Sequence, residues 1–279
     1  MTLSPANGVF TVTAPKQTNQ IPLGRPHQPI IGGADVVMMA GPCSVESYEQ
    51  TRIIARELAR QGVTVLRGGA FKPRTSPHSF QGLGQEGLEI LRAVADEFDM
   101  LVITEALAVD HIDLVAQYAD IIQLGSRNMQ HYPLLWAAGE LRQPVMLKRG
   151  FMSTIDEWLK ATEHIHSRGN DQIMLCERGI RTFETATRNT LDTNGIALVK
   201  QTTGFPVIGD PSHGTGRADL VVRAALASVA AGADGLLVEC HHAPAEALSD
   251  ADQALPLSEM ADLMRRASAV AEAVGRGFR

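Results

Sequence analysis

Short apolar runs of strand length recur eight times along the chain, and most are separated by segments with the apolar spacing of amphipathic helices. Each run is followed by a residue that can bind a metal ion or an anion. These residues are Cys43, Arg67, Glu105, Arg127, Lys148, Arg178, His213 and Glu239. Alternating strands and helices with such chemistry at one end of every strand predict a (β/α)8 TIM barrel. Because loops after the strands build the active site of a barrel, the pattern indicates an enzyme.

The pattern also predicts the division of the chain and its elements. Residues 1–34 lack periodicity and form an N-terminal extension, an arm whose only strand-like run is 8–13, which closes the bottom of the barrel or reaches a neighbouring subunit. Residues 35–279 form the catalytic barrel, close to the ~250 residues typical of this fold. We expect strands at 36–40, 63–66, 100–104, 120–124, 145–147, 172–175, 206–210 and 235–239.

Capping residues in the sequence mark the starts of only some of the predicted helices. Ser47 and Ser153 are predicted N-caps of helices over 48–61 and 153–168. Further helices are expected at 85–97, 110–118, after Gln130, before Gly232 and at 258–274. Another is expected after the motif CERGIRTFE, whereas the following stretch IALVKQTTG has no clear assignment.

Composition narrows the class of protein. The formal charge of −6 argues against a nucleic-acid or acidic-membrane partner. No apolar run approaches the roughly 18 residues that span a bilayer, and no signal peptide is visible. Three cysteines without framework spacing indicate a reducing compartment, so we expect a cytoplasmic protein. Cys176 and Cys240 are expected in the core, with Cys240 turned away from the barrel interior by strand alternation.

One group of residues has the composition of a metal site. Cys43, His213, Glu239 and Asp250 follow strands one, seven and eight, and strands one and eight become neighbours when a barrel closes. Mixed sulfur, nitrogen and oxygen donors favour Mn, Fe, Co or Zn over Mg or Ca. Taken alone, each residue is better explained by packing or helix capping, and the prediction of a metal site depends on all four following adjacent strands. His241 stays open between an acid–base group and a polar loop histidine.

A second group is cationic. Arg127, Lys148 and Arg178 lie at three consecutive strand ends, with Arg67 and Lys72 beside them. Such a cluster can enclose a phosphate and a carboxylate. No P-loop is present, and the G-x-G in QGLGQEG follows a long loop and not a strand, so a nucleotide site is not supported.

The loop KPRTSP predicts a separate anion site. Arg74 and Thr75 place a guanidinium beside a hydroxyl, between Pro73 and Pro77. Two anion sites flanking one divalent metal indicate two phosphorylated substrates that meet at a Lewis acid.

At these positions the chain resembles type I DAHP (3-deoxy-D-arabino-heptulosonate 7-phosphate) synthases of the β subgroup, from about residue 30 onward. The resemblance rests on the motifs GPCSVES, RGGAFKPRTSPHSFQGLG, QLGSRNMQ, LKRGF, CERGIRTFE, DPSHGTGR and VECHHAPAEALSDADQAL. It implies condensation of phosphoenolpyruvate with erythrose 4-phosphate and water, the first step of the shikimate pathway, with a divalent metal. Cys240 and His242 depart from the residues usual in that family, but neither is among the implied site residues.

The resemblance also implies roles for individual residues. The metal ligands would be Cys43, His213, Glu239 and Asp250. Phosphoenolpyruvate would be held by Arg67, Lys72, Arg127, Lys148 and Arg178. The erythrose 4-phosphate phosphate would meet Arg74 and Thr75. Lys72, expected to have a depressed pKa among other cations, would donate a proton to the developing alkoxide, and Glu105 would orient water or balance charge.

Two other functions remain possible from the sequence. One is 3-deoxy-D-manno-octulosonate 8-phosphate synthase, which uses arabinose 5-phosphate and has Ala-Asn-Arg where this chain has Lys72-Pro73-Arg74. The other is a non-catalytic barrel that binds phosphorylated metabolites.

We further expect a homodimer or homotetramer that is insensitive to Phe, Tyr and Trp, with any feedback control supplied by a separate regulatory protein.

Overall fold

Eight parallel strands close into a barrel in the computed structural model, which describes residues 17–24, 28–73, 76 and 78–279. Strands pair in chain order, and the last pairs with the first through Glu239 and Gly41. The strands are β1 Asp35–Gly41, β2 Val65–Arg67, β3 Leu101–Ala106, β4 Ile121–Leu124, β5 Val145–Lys148, β6 Ile173–Glu177, β7 Val207–Gly209 and β8 Gly235–His241. The main helices are α1 Tyr48–Arg60, α2 Gln85–Glu97, α3 Ile112–Tyr118, α4 Tyr132–Gly139, α5 Ile155–His166, α6 Thr193–Thr202, α7 Ala218–Ala230 and α8 Leu257–Ala273. The predicted TIM barrel is confirmed.

The ends of the predicted strands lie within two residues of the observed ends. The extension that matters for function is in β8, which continues to His241 and so holds this residue on the strand instead of in a loop. The predicted and observed strand ends agree because parallel strands of a barrel are buried on both faces. Such strands consist almost entirely of apolar residues, so each apolar run marks the length of its strand.

Two helix predictions need correction. Ser47 caps α1 as expected, and its hydroxyl accepts from the backbone N–H of Gln50 at 3.1 Å. Ser153, however, does not cap α5. Thr154 does, because Glu157 three residues later completes a reciprocal pair of hydrogen bonds with it. The stretch without assignment is helix α6, whereas residues 179–192 before it form a loop closed by an Ile180–Thr190 bridge.

The segment before the barrel packs into its amino-terminal end. Short antiparallel strands at Ile21–Pro22 and Ile30–Ile31 place Ile21, Leu23 and Ile31 in the same buried cluster as the inward-facing residues of the barrel strands. The predicted strand over 8–13 lies outside the described residues. The division of the chain at residue 34 stays a prediction.

Apolar side chains form two layers, one inside the barrel and one between barrel and helices. Cys176 belongs to the inner layer and Cys240 to the outer layer, and both are fully buried. Both cysteines are therefore core residues, as expected. Within the described residues, no helix combines the length and apolar character required to cross a bilayer.

Candidate active site

A cavity of about 320 Å³ opens at the carboxyl ends of the strands. Its wall contains many of the residues predicted from strand ends. It is lined by Lys72, Pro73, Ser76, Ser79, Glu105, Gly125, Ser126, Arg127, Lys148, Phe151, Arg178, Arg188, His213 and Asp250. Arg74 and Thr75 lie outside the described residues. Cys43, Arg67, Glu239 and His241 are described but do not line the cavity.

The four predicted metal ligands converge beside this cavity. The ligand atoms of Cys43, Glu239 and Asp250 all lie within 4.8 Å of one another. His213 Nε2 is 3.5 Å from Glu239 Oε1, and Cys43 Sγ is 3.5 Å from Asp250 Oδ2. Asp250 has a backbone φ of +47°, in the left-handed region that residues with a side chain rarely adopt. The loops after β1, β7 and β8 therefore build one site.

The charges of this cluster suit a divalent cation. Burial and then Glu239 raise the pKa of the Cys43 thiol to about 11. Burial opposes ionisation of Glu239, but His213, Arg67 and Lys72 outweigh it, and the pKa of Glu239 is lowered. Burial also lowers the pKa of His213, which favours the neutral imidazole. A thiol, an imidazole and two carboxylates in one place are the donors that borderline metals bind, and a bound cation would favour the thiolate form.

Asp210 was not predicted from the sequence. It connects the group of Cys43, His213, Glu239 and Asp250, here called the metal-type cluster, to the predicted substrate cation Lys148. Its Oδ2 accepts from Lys148 Nζ at 2.8 Å and lies 2.7 Å from His213 Nδ1. Its Oδ1 accepts from the backbone N–H of His213 at 3.0 Å. A hydrogen bond at Nδ1 leaves Nε2 free to face Glu239, which is the usual arrangement of a metal-binding histidine. The position at the end of the apolar run PVIGD, three residues before His213, was the signal in the sequence.

Gln253 and Arg188 also support the cluster and were not predicted. Gln253 Nε2 donates to Glu239 Oε2 at 2.6 Å, and Arg188 Nη1 donates to Gln253 Oε1 at 2.6 Å. Arg188 is 3.6 Å from Asp250 Oδ2 as well. Neither lies at a strand end, so the pattern that located the other residues could not locate these.

Two predicted substrate residues contact the metal-type cluster directly. Arg67 Nη1 donates to Glu239 Oε1 at 2.9 Å and to Pro42 O at 2.8 Å, and the side chain is buried. Lys72 Nζ donates to Cys43 O at 2.9 Å and to Cys43 Sγ at 3.0 Å. Burial by itself would lower the pKa of Lys72, but Cys43 and Glu239 outweigh it and the pKa is raised. The expected depression is wrong because Cys43 and Glu239 outweigh both burial and the neighbouring cation Arg67.

The remaining predicted cations differ in how they are paired. Lys148 is bound to Asp210, whereas Arg127 and Arg178 have no acidic partner among the described residues. Burial lowers the pKa of Arg178, but an arginine side chain stays protonated near neutral pH. Arg149, next to Lys148 in sequence, faces the helices and is bound to two acids, Glu177 and Asp192.

Two predicted acid–base residues occupy different surroundings. Glu105 lines the cavity, and its Oε2 accepts from Gln123 Nε2 at 3.1 Å. A Cβ at Gly125 would lie 2.0 Å from Glu105 Oε1, so a larger residue there would displace this carboxylate. His241 is buried outside the cavity wall; its Nδ1 accepts from the backbone of Ala243, and its Nε2 is 3.9 Å from Glu46.

Residues 14–274 match the family model described as the DAHP synthetase I family. The chain belongs to this family. The match begins within the predicted N-terminal extension. The phospho-2-dehydro-3-deoxyheptonate aldolase of Thermotoga maritima is 51% identical over 245 residues, which cover 88% of this chain and 72% of the relative. The 2-dehydro-3-deoxyphosphooctonate aldolase of Acidithiobacillus ferrooxidans is 33% identical over 248 residues, covering 82% and 86%.

Solved structures of the Thermotoga maritima DAHP synthase share the fold. One crystal structure superposes with a TM-score of 0.91 at 49% identity, covering 94% of this chain and 76% of that one. A truncated form gives a TM-score of 0.87 at 45% identity, covering 94% and 95%. The barrel described above is thus the fold of this DAHP synthase family.

Proposed function

We propose that this member of the DAHP synthase family condenses phosphoenolpyruvate with erythrose 4-phosphate and water, giving 3-deoxy-D-arabino-heptulosonate 7-phosphate and phosphate. This is the first step of the shikimate pathway. The observation that carries the proposal is one cavity lined by Arg127 and Arg178, which have no ion-pair partner among the described residues, beside a cluster of sulfur, nitrogen and oxygen donors. The family and the 51% identical relative support the same reaction.

Phosphoenolpyruvate carries a phosphate and a carboxylate, and the cationic part of the cavity suits both. We assign Arg127 and Arg178 to bind it with Lys148, because guanidinium groups match anionic oxygens in bidentate fashion and these two form no ion pair within the described part of the chain. Lys72 and Arg67 complete the set of residues that we assign to phosphoenolpyruvate. The guanidinium of Arg67 donates to the carboxylate of Glu239 and would act on the substrate through it. Arg74 and Thr75 remain our assignment for the phosphate of erythrose 4-phosphate.

Cys43, His213, Glu239 and Asp250 would hold a divalent metal, and their donor set favours Mn, Co, Fe or Zn. When bound, such an ion polarises the aldehyde carbonyl of the second substrate. Asp210 orients His213 for this role, and Gln253 and Arg67 hold the carboxylate of Glu239.

The chain's own residues would position the substrates and move a proton. The new bond joins C3 of phosphoenolpyruvate to the aldehyde carbon, water adds at C2, and phosphate leaves by cleavage of its C–O bond. Lys72, protonated because its pKa is raised, donates a proton to the developing alkoxide. Glu105 faces the same cavity and orients water or balances charge. His241, the third residue predicted for acid–base chemistry, lies outside the cavity wall, and its Nε2 is 3.9 Å from Glu46 Oε2.

Finer features of the proposal concern subgroup and assembly. We assign the chain to the β subgroup from its motifs, and we propose a homodimer or homotetramer whose feedback control, if present, comes from a separate regulatory protein.

The alternative reaction with arabinose 5-phosphate has weaker support, because the relatives named for it that we compared are 31–33% identical to this chain. A non-catalytic barrel is also less well supported, since metabolite binding alone does not require a metal-type donor cluster.

Phosphate release tests the proposal. The metal-loaded enzyme is incubated with phosphoenolpyruvate and a panel of four- and five-carbon aldose phosphates, and Cys43→Ser serves as the inactive control. We expect release with erythrose 4-phosphate and little with arabinose 5-phosphate. Preference for arabinose 5-phosphate would establish the alternative reaction, and absence of release with every aldose would leave a binding protein.

A further inference from the structure

Three guanidinium groups surround the ring of Phe151 at the mouth of the cavity. The Cζ atoms of Arg178, Arg181 and Arg127 lie 4.7 Å, 5.1 Å and 5.5 Å from the ring centroid. All three distances are within the ~6 Å over which a cation is attracted to an aromatic face. Phe151 itself lines the cavity together with two of these arginines.

Among the described residues, none of these three guanidinium groups forms an ion pair with an acid. The guanidinium of Arg178 donates to Gly179 O at 3.5 Å, and Asp210 and Glu177 act on it only through longer-range electrostatics. By contrast, Arg149 lies close by in sequence and has two carboxylate partners. Like charges gathered without ion-pair partners repel one another, and a further favourable contact offsets part of this repulsion. The aromatic ring of Phe151 supplies one.

The backbone places this ring between three consecutive strand ends. Arg127 follows β4, Phe151 follows β5, and Arg178 follows β6 directly. The carbonyl of Phe151 accepts from the backbone N–H of Arg181 at 2.7 Å, which ties the loop after β5 to the loop after β6. The ring therefore touches both arginines that we assign to phosphoenolpyruvate from a fixed backbone position.

We propose that Phe151 is a positioning residue that holds Arg127 and Arg178 in the geometry that binds the anionic groups of phosphoenolpyruvate. The inference rests on the proposed function, and it adds a residue that touches the arginines instead of the reacting atoms. What matters is the aromatic face, because an aliphatic side chain of similar size would fill the space without attracting the guanidinium groups. Arg181, which binds the same ring from outside the cavity wall, adds positive charge at the rim.

The test compares ring-less and ring-retaining variants of the metal-loaded enzyme. Phe151→Leu and Phe151→Met remove the aromatic face, and Phe151→Tyr retains it. Phe183→Leu is a matched control, because Phe183 is a 99% exposed aromatic residue on the neighbouring loop. The dissociation constant for phosphoenolpyruvate is measured by calorimetry, KM is measured for both substrates, and melting temperature reports folding.

We expect Phe151→Leu and Phe151→Met to weaken phosphoenolpyruvate binding about three- to tenfold, the effect of losing one or two cation–π contacts. KM for phosphoenolpyruvate should rise in parallel and KM for erythrose 4-phosphate should change far less. Phe151→Tyr and Phe183→Leu should match the unmodified enzyme.

Two results would overturn the inference. Unchanged phosphoenolpyruvate affinity in both folded ring-less variants would remove any positioning role for Phe151. Equal weakening in Phe151→Tyr would mean that the shape of the side chain, and not its aromatic face, is required. If the unmodified enzyme did not bind phosphoenolpyruvate at all, the proposed function would fail instead, and the two failures are thereby distinguished.

Discussion

Asp210 and His213 are joined side chain to side chain, with 2.7 Å between Oδ2 and Nδ1, and the same oxygen also accepts from Lys148. One buried carboxylate thus contacts a proposed metal ligand and a proposed substrate cation. Because a hydrogen bond at one ring nitrogen determines which nitrogen faces the metal, Asp210 links the two halves of the site.

We therefore predict that Asp210→Asn weakens metal binding. Replacement of an outer partner of a metal-binding histidine typically costs about 10- to 100-fold in affinity. Competition with a fluorescent chelator measures the change. Asp219→Asn is the matched control, since Asp219 pairs with Arg217 on the exposed surface. Equal affinity in the two variants would show that Asp210 does not orient His213.

Stability toward acid should also depend on Asp210. Burial alone would raise its pKa, but His213 and Lys148 outweigh it and hold the pKa of this carboxyl well below its ordinary value. The unfolded chain therefore binds the proton more tightly. The stabilisation is complete above the unfolded pKa of about 3.9 and is lost as pH falls toward the folded value. The free energy of unfolding, measured with urea in the presence of EDTA, should fall below pH ~4. This fall should be shallower in Asp210→Asn than in Asp219→Asn.

Metal dependence is the third prediction. Chelation by EDTA should abolish turnover and Mn or Co should restore it, because the donor set is that of a borderline divalent ion. Cys43→Ser and His213→Ala should lose activity while keeping the circular dichroism of the unmodified protein. Full activity after exhaustive chelation, with no metal found by elemental analysis, would contradict the assignment.

The two anion sites should separate kinetically. Arg178→Ala should mainly raise KM for phosphoenolpyruvate, and Arg74→Ala should mainly raise KM for erythrose 4-phosphate. Loss of a charge-assisted contact should cost roughly 1.5–3 kcal/mol, about ten- to a hundredfold. Steady-state rates with each substrate varied in turn decide this. If both variants affect the same substrate, the assignment of the sites is wrong.

Removal of residues 1–28 should destabilise the barrel without altering its response to Phe, Tyr or Trp. The deletion takes away Ile21 and Leu23, which are buried in the inner cluster, and each such side chain contributes about 1.5–3 kcal/mol. Removal of residues 1–16 leaves both side chains and is the control. Melting temperatures and rates at millimolar amino acid test the prediction. A changed effector response would indicate a regulatory role for this segment.

The sequence by itself determined the barrel and half of the fourteen residues that line the cavity. Apolar runs of strand length are a local property, and parallel strands bring their carboxyl ends to one side whatever the details of packing. Cys43, Arg178, His213 and Glu239 could therefore be placed together from their positions after such runs. The helix starts were less certain, as Thr154 shows, because neighbouring polar residues compete for the cap.

Only the tertiary structure decided which side chains touch. Asp210 sits at a strand end, but its bond to Lys148 depends on the spacing between β5 and β7, which no local pattern encodes. The pKa of Lys72 was expected in the wrong direction because its contact with Cys43 crosses two loops. The ring of Phe151 gathers arginines from separate loops for the same reason. Local sequence sets where a residue lies on its strand or loop, whereas distances between strands set its partners and its charge.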